Sequence, residues 1–299
     1  MGCVYGILKQ ASKEERGRNM SDNMNIPAGK TASLLAGGVE LPLGEKEGEL
    51  VLTDSFVVDH SCELAEGKTL DYRTALFIGR EGIVKDRSVI GAVQGGRYDD
   101  AAAEDVSIEA RSDSFSALMV DGGRYALRSA KISMPTKSDG KNVCDFAGLG
   151  SAVGAFNGAR VDIDNCDIAT EGVAKCAVYA DNGSEVVIRD SRISVMGGRL
   201  YDGYVNSADF NYMVATPWVL GIMGNARGTN IMGDKTTMVL ANCDVKARNW
   251  GVLSTDNGEN NILAVIDTTL TAVGGEEDKK NPYHKTWGSG YGTYILGCD

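Results

Sequence analysis

Histidine is nearly absent from this 299-residue chain, which has only His60 and His284. That argues against a histidine-rich metal centre, and any Ser-His-Asp arrangement would have to use one of these two. No apolar run approaches the roughly 20 residues that cross a bilayer. Basic residues are the minority, 30 Lys and Arg against 41 Asp and Glu, for a formal charge of −11. The balance argues against nucleic acid, anionic membrane surfaces and polyanionic substrates. Seven cysteines (Cys3, Cys62, Cys144, Cys166, Cys176, Cys243 and Cys298) include no CxxC pair. Free buried thiols in a reducing compartment are the expectation. The N-terminus shows no signal-peptide pattern, so a cytoplasmic location is expected.

What the chain does have is a repeat. "YALRSAKIS" (125–133), "VDIDNCDIA" (161–169), "VVIRDSRIS" (186–194), "MVLANCDVK" (238–246) and "LAVIDTTLT" (263–271) share one pattern. Aligned on Ile132, Ile168, Ile193, Val245 and Leu270, they are 36, 25, 52 and 25 residues apart, a base period of 25 with two insertions. A fixed period in this range signals a solenoid. Within the unit apolar residues alternate with period two, as in Val161 and Ile163 around Asp162, which predicts strands. A polar column then interrupts the run: Ser129, Asn165, Asp190, Asn242 and Asp267. Such residues tolerate left-handed backbone angles, so a sharp bend is predicted there. Just beyond it the outward residue is Lys131, Asp167, Arg192, Asp244 and Thr269 in turn, alternating in sign as stacked neighbours would require.

A third strand per period is read from "CAVYADNG" (176–183) and "GVLSTDNG" (251–258). "VGAFNG" (153–158), "VLGIMGN" (219–225) and "YILGCD" (294–299) are looser copies, each closed by a turn signal. The fold class expected is all-β, a parallel β-helix solenoid with coils of about 25 residues. On these features the chain resembles the right-handed, pectin-lyase-like β-helix superfamily over roughly residues 100 to 299. The expected organisation is a polar or helical cap at 1–30 and a single β-helix domain over 31–299, regular from about 100. "ELVLTDSFVVDH" and "RSVIGAV" read as strands of early, imperfect coils. The last coil runs to Asp299 without a polar cap. The expectation is therefore either a further C-terminal part beyond this sequence, or a homo-oligomer or second chain covering that end.

The large insertions, 134–151, 196–217 and 274–292, all follow the second strand of a coil and precede the third. They are expected to project from one side, over the strands bearing Tyr179 and Ser254. The resemblance implies a substrate cleft against that strand face. Tyr201, Tyr204, Phe210, Tyr212, Tyr283, Trp287 and Tyr291 lie in the two later loops, with Trp218 just beyond. They would serve either as small cores holding the loops or as a stacking surface for a sugar ring or planar ligand. His284, flanked by Tyr283 and Lys285, is the candidate acid or base of that side. The turn column Asn157, Asp181, Asn225, Asp256 and Asp299 places Asp181 and Asp256 two coils apart. That spacing suits an inverting carboxylate pair or a cation site shared by several oxygens, although Asp-Asn-Gly also simply makes a turn. Arg199, Asp202, Asp209 and Arg227 are further polar candidates from the long loop.

"VVDHSC" (57–62) looks like the "WIDH" strand of calcium-dependent pectate lyases. Val57 and Val58 replace its Trp and Ile, and the later lysine and arginine motifs are missing, so no metal is carried over. "GSGYGTYILG" precedes no helix pattern, which leaves no nucleotide fingerprint and no cofactor expected. The function expected is a carbohydrate-active lyase or glycoside hydrolase with a small-molecule or oligosaccharide ligand. Its alternatives are a cytoplasmic isomerase or lyase of a small aromatic or polycyclic molecule, and a non-catalytic binding or assembly module.

Overall fold

The computed structural model describes residues 33–36, 39–42, 60–63, 69–140, 148–198, 201, 226–248, 250–273 and 291–298. No α-helix occurs among them, and no described helix is long and apolar enough to cross a membrane. The first described elements are an antiparallel pair, β1 (Ser33–Ala36) and β2 (Val39–Pro42). Next, β3 (His60–Glu63) pairs antiparallel with β4 (Thr69–Gly79), placing His60 opposite Tyr72. A short return, β5 (Gly82–Ile83), leads to two 3-10 turns, Lys85–Arg87 and Ile90–Ala92. Then come β6 (Val93–Gln94) and β7 (Arg97–Tyr98).

From here the chain visits three sheets in rotation. The first circuit is β8 (Ala102–Glu104), β9 (Ser107–Glu109) and β10 (Phe115–Asp121). The second is β11 (Arg124–Arg128), β12 (Lys131–Ser138) and β13 (Val153–Phe156). The third is β14 (Arg160–Asp164), β15 (Asp167–Gly172) and β16 (Cys176–Asp181). The fourth is β17 (Glu185–Arg189), β18 (Arg192–Met196) and β19 (Ala226–Met232). The fifth is β20 (Thr237–Ala241), β21 (Asp244–Arg248) and β22 (Trp250–Gly258). The sixth is β23 (Ile262–Ile266), β24 (Thr269–Val273) and β25 (Tyr291–Cys298). Sheet 1 orders β23-β20-β17-β14-β11-β8-β7, sheet 2 orders β24-β21-β18-β15-β12-β9-β6, and sheet 3 orders β25-β22-β19-β16-β13-β10-β4-β3. Every pairing between successive circuits is parallel.

The recurring nine-residue segments are the β11–β12, β14–β15, β17–β18, β20–β21 and β23–β24 pairs, and they stack in register. Ile132, Ile168, Ile193, Val245 and Leu270 are successive partners in sheet 2. The column extends one circuit earlier to Ile108, so "EDVSIEA" is a sixth copy of the repeat. Ile108, Ile132, Ile168, Ile193 and Val245 are each at most 1% exposed. Burial of such side chains, roughly 1.5–3 kcal/mol each, is the main force holding the sheets together. The outward charges stand in alternating register as expected, Lys131 opposite Asp167, Asp167 opposite Arg192, and Arg192 opposite Asp244.

All five residues of the polar column have positive φ, between 46° and 56°, and Asp105 joins them at 55°. Asn165 Nδ2 donates to Ser129 Oγ at 3.1 Å, and Asn242 bonds Asp190 in the same way. Beside them, small side chains turn inward: the amide of Cys166 donates to Ser191 Oγ at 3.0 Å, and that of Cys243 to Thr268 Oγ1 at 3.1 Å. Cys166 and Cys243 are buried free thiols whose pKa burial pushes up. Asn165→Gly is therefore expected to leave the urea midpoint nearly unchanged. Asn165→Val, which forces a β-branched residue to positive φ, should cost about 1–2 kcal/mol.

The early region departs from the expected parallel coils. β3, β6 and β7 pair antiparallel with β4, β9 and β8. "RSVIGAV" is not a strand except at its last residue, because Ser88 supplies the bonds a ladder would have made. Its Oγ accepts the amide of Phe77 at 2.9 Å and donates to the carbonyl of Val84 at 2.8 Å, folding the segment back onto β4. The third strand of the fourth circuit also differs: it is β19, and "VLGIMGN" lies outside the described residues, as do residues 1–32.

Candidate active site

Long excursions leave the stack at one corner. Residues 139–152 join β12 to β13, 197–225 join β18 to β19, and 274–290 join β24 to β25, each passing from sheet 2 to sheet 3. The side of sheet 3 facing away from the core is defined by alternation with Ile78, Val120, Ala155, Ala180 and Ile231. One outward column is Phe77, Met119, Gly154, Tyr179, Asn230 and Ser254. The next holds Asp121 opposite Phe156, Asp181 opposite Met232, and Asp256 opposite Leu296. Continued registers set Phe156 beside Asp181 and Met232 beside Asp256.

In the early circuits this face is apolar. Tyr72, Phe77, Met119, Leu149, Phe156 and Tyr179 form a buried cluster of their own. The Tyr179 ring lies 5.4 Å from that of Phe156. Gly148, at φ +68°, crosses directly over it: a Cβ there would sit 2.2 Å from the ring. Only glycine serves at that position.

In the later circuits the face becomes polar yet stays buried. Arg227, Asn230, Ser254 and Asp256 are 4%, 1%, 0% and 4% exposed. Buried charges must be paired, and Arg227 Nε lies 3.4 Å from Asp256 Oδ2. Burial raises the Asp256 pKa, while the Arg227 charge and the Asn230 side chain oppose the rise. Among the described residues no such cation acts on Asp181. Burial pushes its pKa up to about 7, with the Asp121 carboxylate adding to the effect. The backbone amide of Asn157 and the side chains of Tyr179 and Asn182 pull the other way. The Tyr179 hydroxyl makes a long 3.4 Å bond to Asp181 Oδ2. Oδ1 of Asp181 and Oδ1 of Asn230 are buried without a hydrogen-bond partner among the described residues. Burial and the neighbouring Asp181 push the Tyr179 phenol well above its ordinary value, so it stays a proton donor.

Two carboxylates thus share one face with a single strand between them, their Cα atoms roughly 9–10 Å apart. Their surroundings differ: one carboxyl keeps its proton to near neutrality, and the other stands beside a guanidinium. Burial raises both carboxyls, and only at Asp256 does a neighbouring cation oppose the rise.

Lys175, at the β15–β16 corner, is fully buried, and burial pushes its pKa down to about 8. Its Nζ donates to the carbonyl of Asp113 at 2.6 Å. A Cβ at Gly150 would lie 3.1 Å from that Nζ. The lysine straps three successive circuits together at the foot of the excursions.

Tyr179, Asp181 and Asp256 lie on this face, and Arg227, expected in the long loop, joins them from strand β19 instead. Asn157 is one residue past the carboxylate column, where Phe156 stands, and Met232 rather than Asn225 separates Asp181 from Asp256. The cause is the placement of β19 seven residues later than expected. The same displacement hid Asn230. Lys175 carries no motif and was invisible without the tertiary structure. Tyr201 sits at the shared corner, its amide donating to the carbonyl of Asp139 at 3.0 Å. The backbone of Tyr291 opens β25 opposite Gly251. Tyr283, His284, Lys285, Arg199, Asp202, Tyr204, Asp209, Phe210, Tyr212, Trp218, Asn225, Trp287 and Asp299 lie outside the described residues.

A groove of about 360 Å³ lies elsewhere, on the outer face of sheet 1. Arg160 and Arg189 there are already paired with Glu185 and Asp162, at 2.6 and 3.2 Å, which leaves little charge for chemistry. Among the described residues no group of three or more His, Cys, Asp or Glu is placed to hold a metal. Comparison with protein-family models, curated proteins and solved structures finds no match for this chain.

Proposed function

We propose that the three sheets are the walls of a right-handed parallel β-helix of the pectin-lyase-like type. On it, the outer face of sheet 3 acts as the catalytic floor of a carbohydrate-active enzyme. Asp181 is the general acid, its proton retained to near neutral pH, and Asp256 is the general base, oriented by Arg227. Tyr179 steadies the Asp181 carboxyl. Substrate would bind between this face and the aromatic-rich excursions 196–217 and 274–292, with His284, Tyr283 and Lys285 available from the latter. The observation that carries the proposal is the buried carboxylate pair in one column, of which one member has a guanidinium beside it. Its strand spacing favours an inverting hydrolase, in which the carboxyl groups lie roughly 6.5–9.5 Å apart to admit a water.

The test is turnover of an oligosaccharide panel, with the product anomer followed by proton NMR. Asp181→Asn and Asp256→Asn should each lower kcat by about 10²–10⁴, and the first-formed product should be the inverted anomer. Ultraviolet absorbance of an unsaturated product would instead mark elimination. If both variants turn over the panel as the parent does, the site assignment fails. The Tyr179–Asp181 contact also favours a second reading, an isomerase or lyase of a smaller phenolic or polycyclic compound. A thermal-shift screen of sugars against such compounds separates the two.

A further inference from the structure

Sheets 1 and 2 end on β23 and β24, whose outer edges pair with no described strand. Register and alternation make Val265 an interior residue. Beneath it in one column stand Leu240, Ile188 and Ile163. All three are 0% exposed, yet Val265 is 41% exposed. On the outward side of the same strand Ile262 and Ile266 are 56% and 51% exposed. Proteins protect free sheet edges with lysines, prolines or inward-pointing charges. β23, "ILAVI", and β24, "TLTAV", carry none of these.

The lower rungs are different. The outward column of sheet 2 carries Lys131, Asp167, Arg192 and Asp244 before it ends in Thr269. In sheet 1, Arg160 and Glu185 lead through Thr237 to Ile262. On a chain with a net charge of −11, most surfaces repel their own copy. The β23–β24 segment of the last rung has one charge, Asp267 at the bend, and so escapes that repulsion. A strand edge is also its own complement when rotated about a two-fold axis.

We propose that the β23–β24 edge is the interface with a second copy of this chain, β23 pairing antiparallel with its counterpart about a two-fold axis centred on Ala264. Each copy then roofs the half-open interior of the other over Leu263 and Val265, and the free backbone groups of β23 become paired.

Sedimentation equilibrium of the full chain tests this. The parent should be a dimer with a micromolar or tighter dissociation constant. Val265→Lys, an inward charge, should weaken it about a hundredfold. Ala264→Lys, on the solvent side and harmless to the fold, brings like charges face to face and should also give a monomer. Mixing Ala264→Lys with Ala264→Glu should restore the dimer, because only self-pairing at that position puts opposite charges together. A monomeric parent, a dimer indifferent to both lysine variants, or no recovery on mixing each overturns the proposal. So does hydrogen-exchange protection of 262–273 that is independent of concentration, since it would mean cover within one chain.

Discussion

Arg227→Ala is expected to destabilise the protein by about 3–5 kcal/mol in chemical denaturation at pH 8. The guanidinium and the Asp256 carboxylate are 5% and 6% exposed as side chains, so neither can fall back on bulk water. Removing the cation strands a buried anion, and that cost exceeds the net worth of the pair itself. Two corollaries follow from the same physics. The loss should shrink as the pH is lowered, because the stranded carboxyl can take up a proton and shed its charge. The double variant Arg227→Ala/Asp256→Asn should regain a substantial part of the stability, because no isolated charge then remains. Strict additivity in the double variant would show that the two side chains do not act as a pair.

Asp181→Asn is expected to do two opposite things. It removes the proposed acid, so turnover should fall by about 10²–10⁴. It should also raise Tm at pH 8 while leaving it unchanged at pH 4. The folded pKa, about 7, lies above the ordinary value of 3.8. Between these values the folded protein holds a proton that the unfolded chain has released, so stability falls as pH rises through the interval. Above the folded value the penalty is complete, and asparagine escapes it because it never ionises. Equal Tm differences at pH 4 and pH 8 would mean that the carboxyl titrates normally and lacks the desolvation its proposed role needs.

The legible part of the fold was the part repeated with strict alternation. Val161 and Ile163 predict a strand because period two is the only pattern that buries both, and Asn165 predicts a bend because it tolerates the positive φ. These local rules recur at intervals set by one circuit, so register followed from alignment alone. Sheet 3 was less legible. β19, "ARGTNIM", is buried on both faces, interleaving Arg227, Thr229 and Asn230 with Ala226 and Ile231, so it shows no apolar alternation. "VLGIMGN", with a better local signal, drew the assignment instead. "RSVIGAV" failed for a related reason: its aliphatic content promised a strand, but the Ser88 hydroxyl satisfied the backbone groups a strand would have offered to a neighbour.

The candidate site follows the same division. Asp181 and Asp256 stood out because each opens an Asp-Asn-Gly triplet that reads as a turn; the turn forms after Asp181, whereas β22 runs on through Gly258. Their chemistry did not stand out. Whether a carboxyl keeps its proton depends on burial and on the nearest charge. Arg227 reaches Asp256 from a different strand, and Lys175 lies across circuits from Asp113, 62 residues away. By itself the sequence determined the strands, the bends, the stacking of the nine-residue units and the corner from which the excursions leave, since all of these are local propensities repeated at a fixed interval. Only the tertiary structure decided which strand follows the longest excursion, which residues share the outer face of sheet 3, and which carboxyl has a cation beside it. Those outcomes depend on neighbours that the chain brings together only after it has closed its circuits.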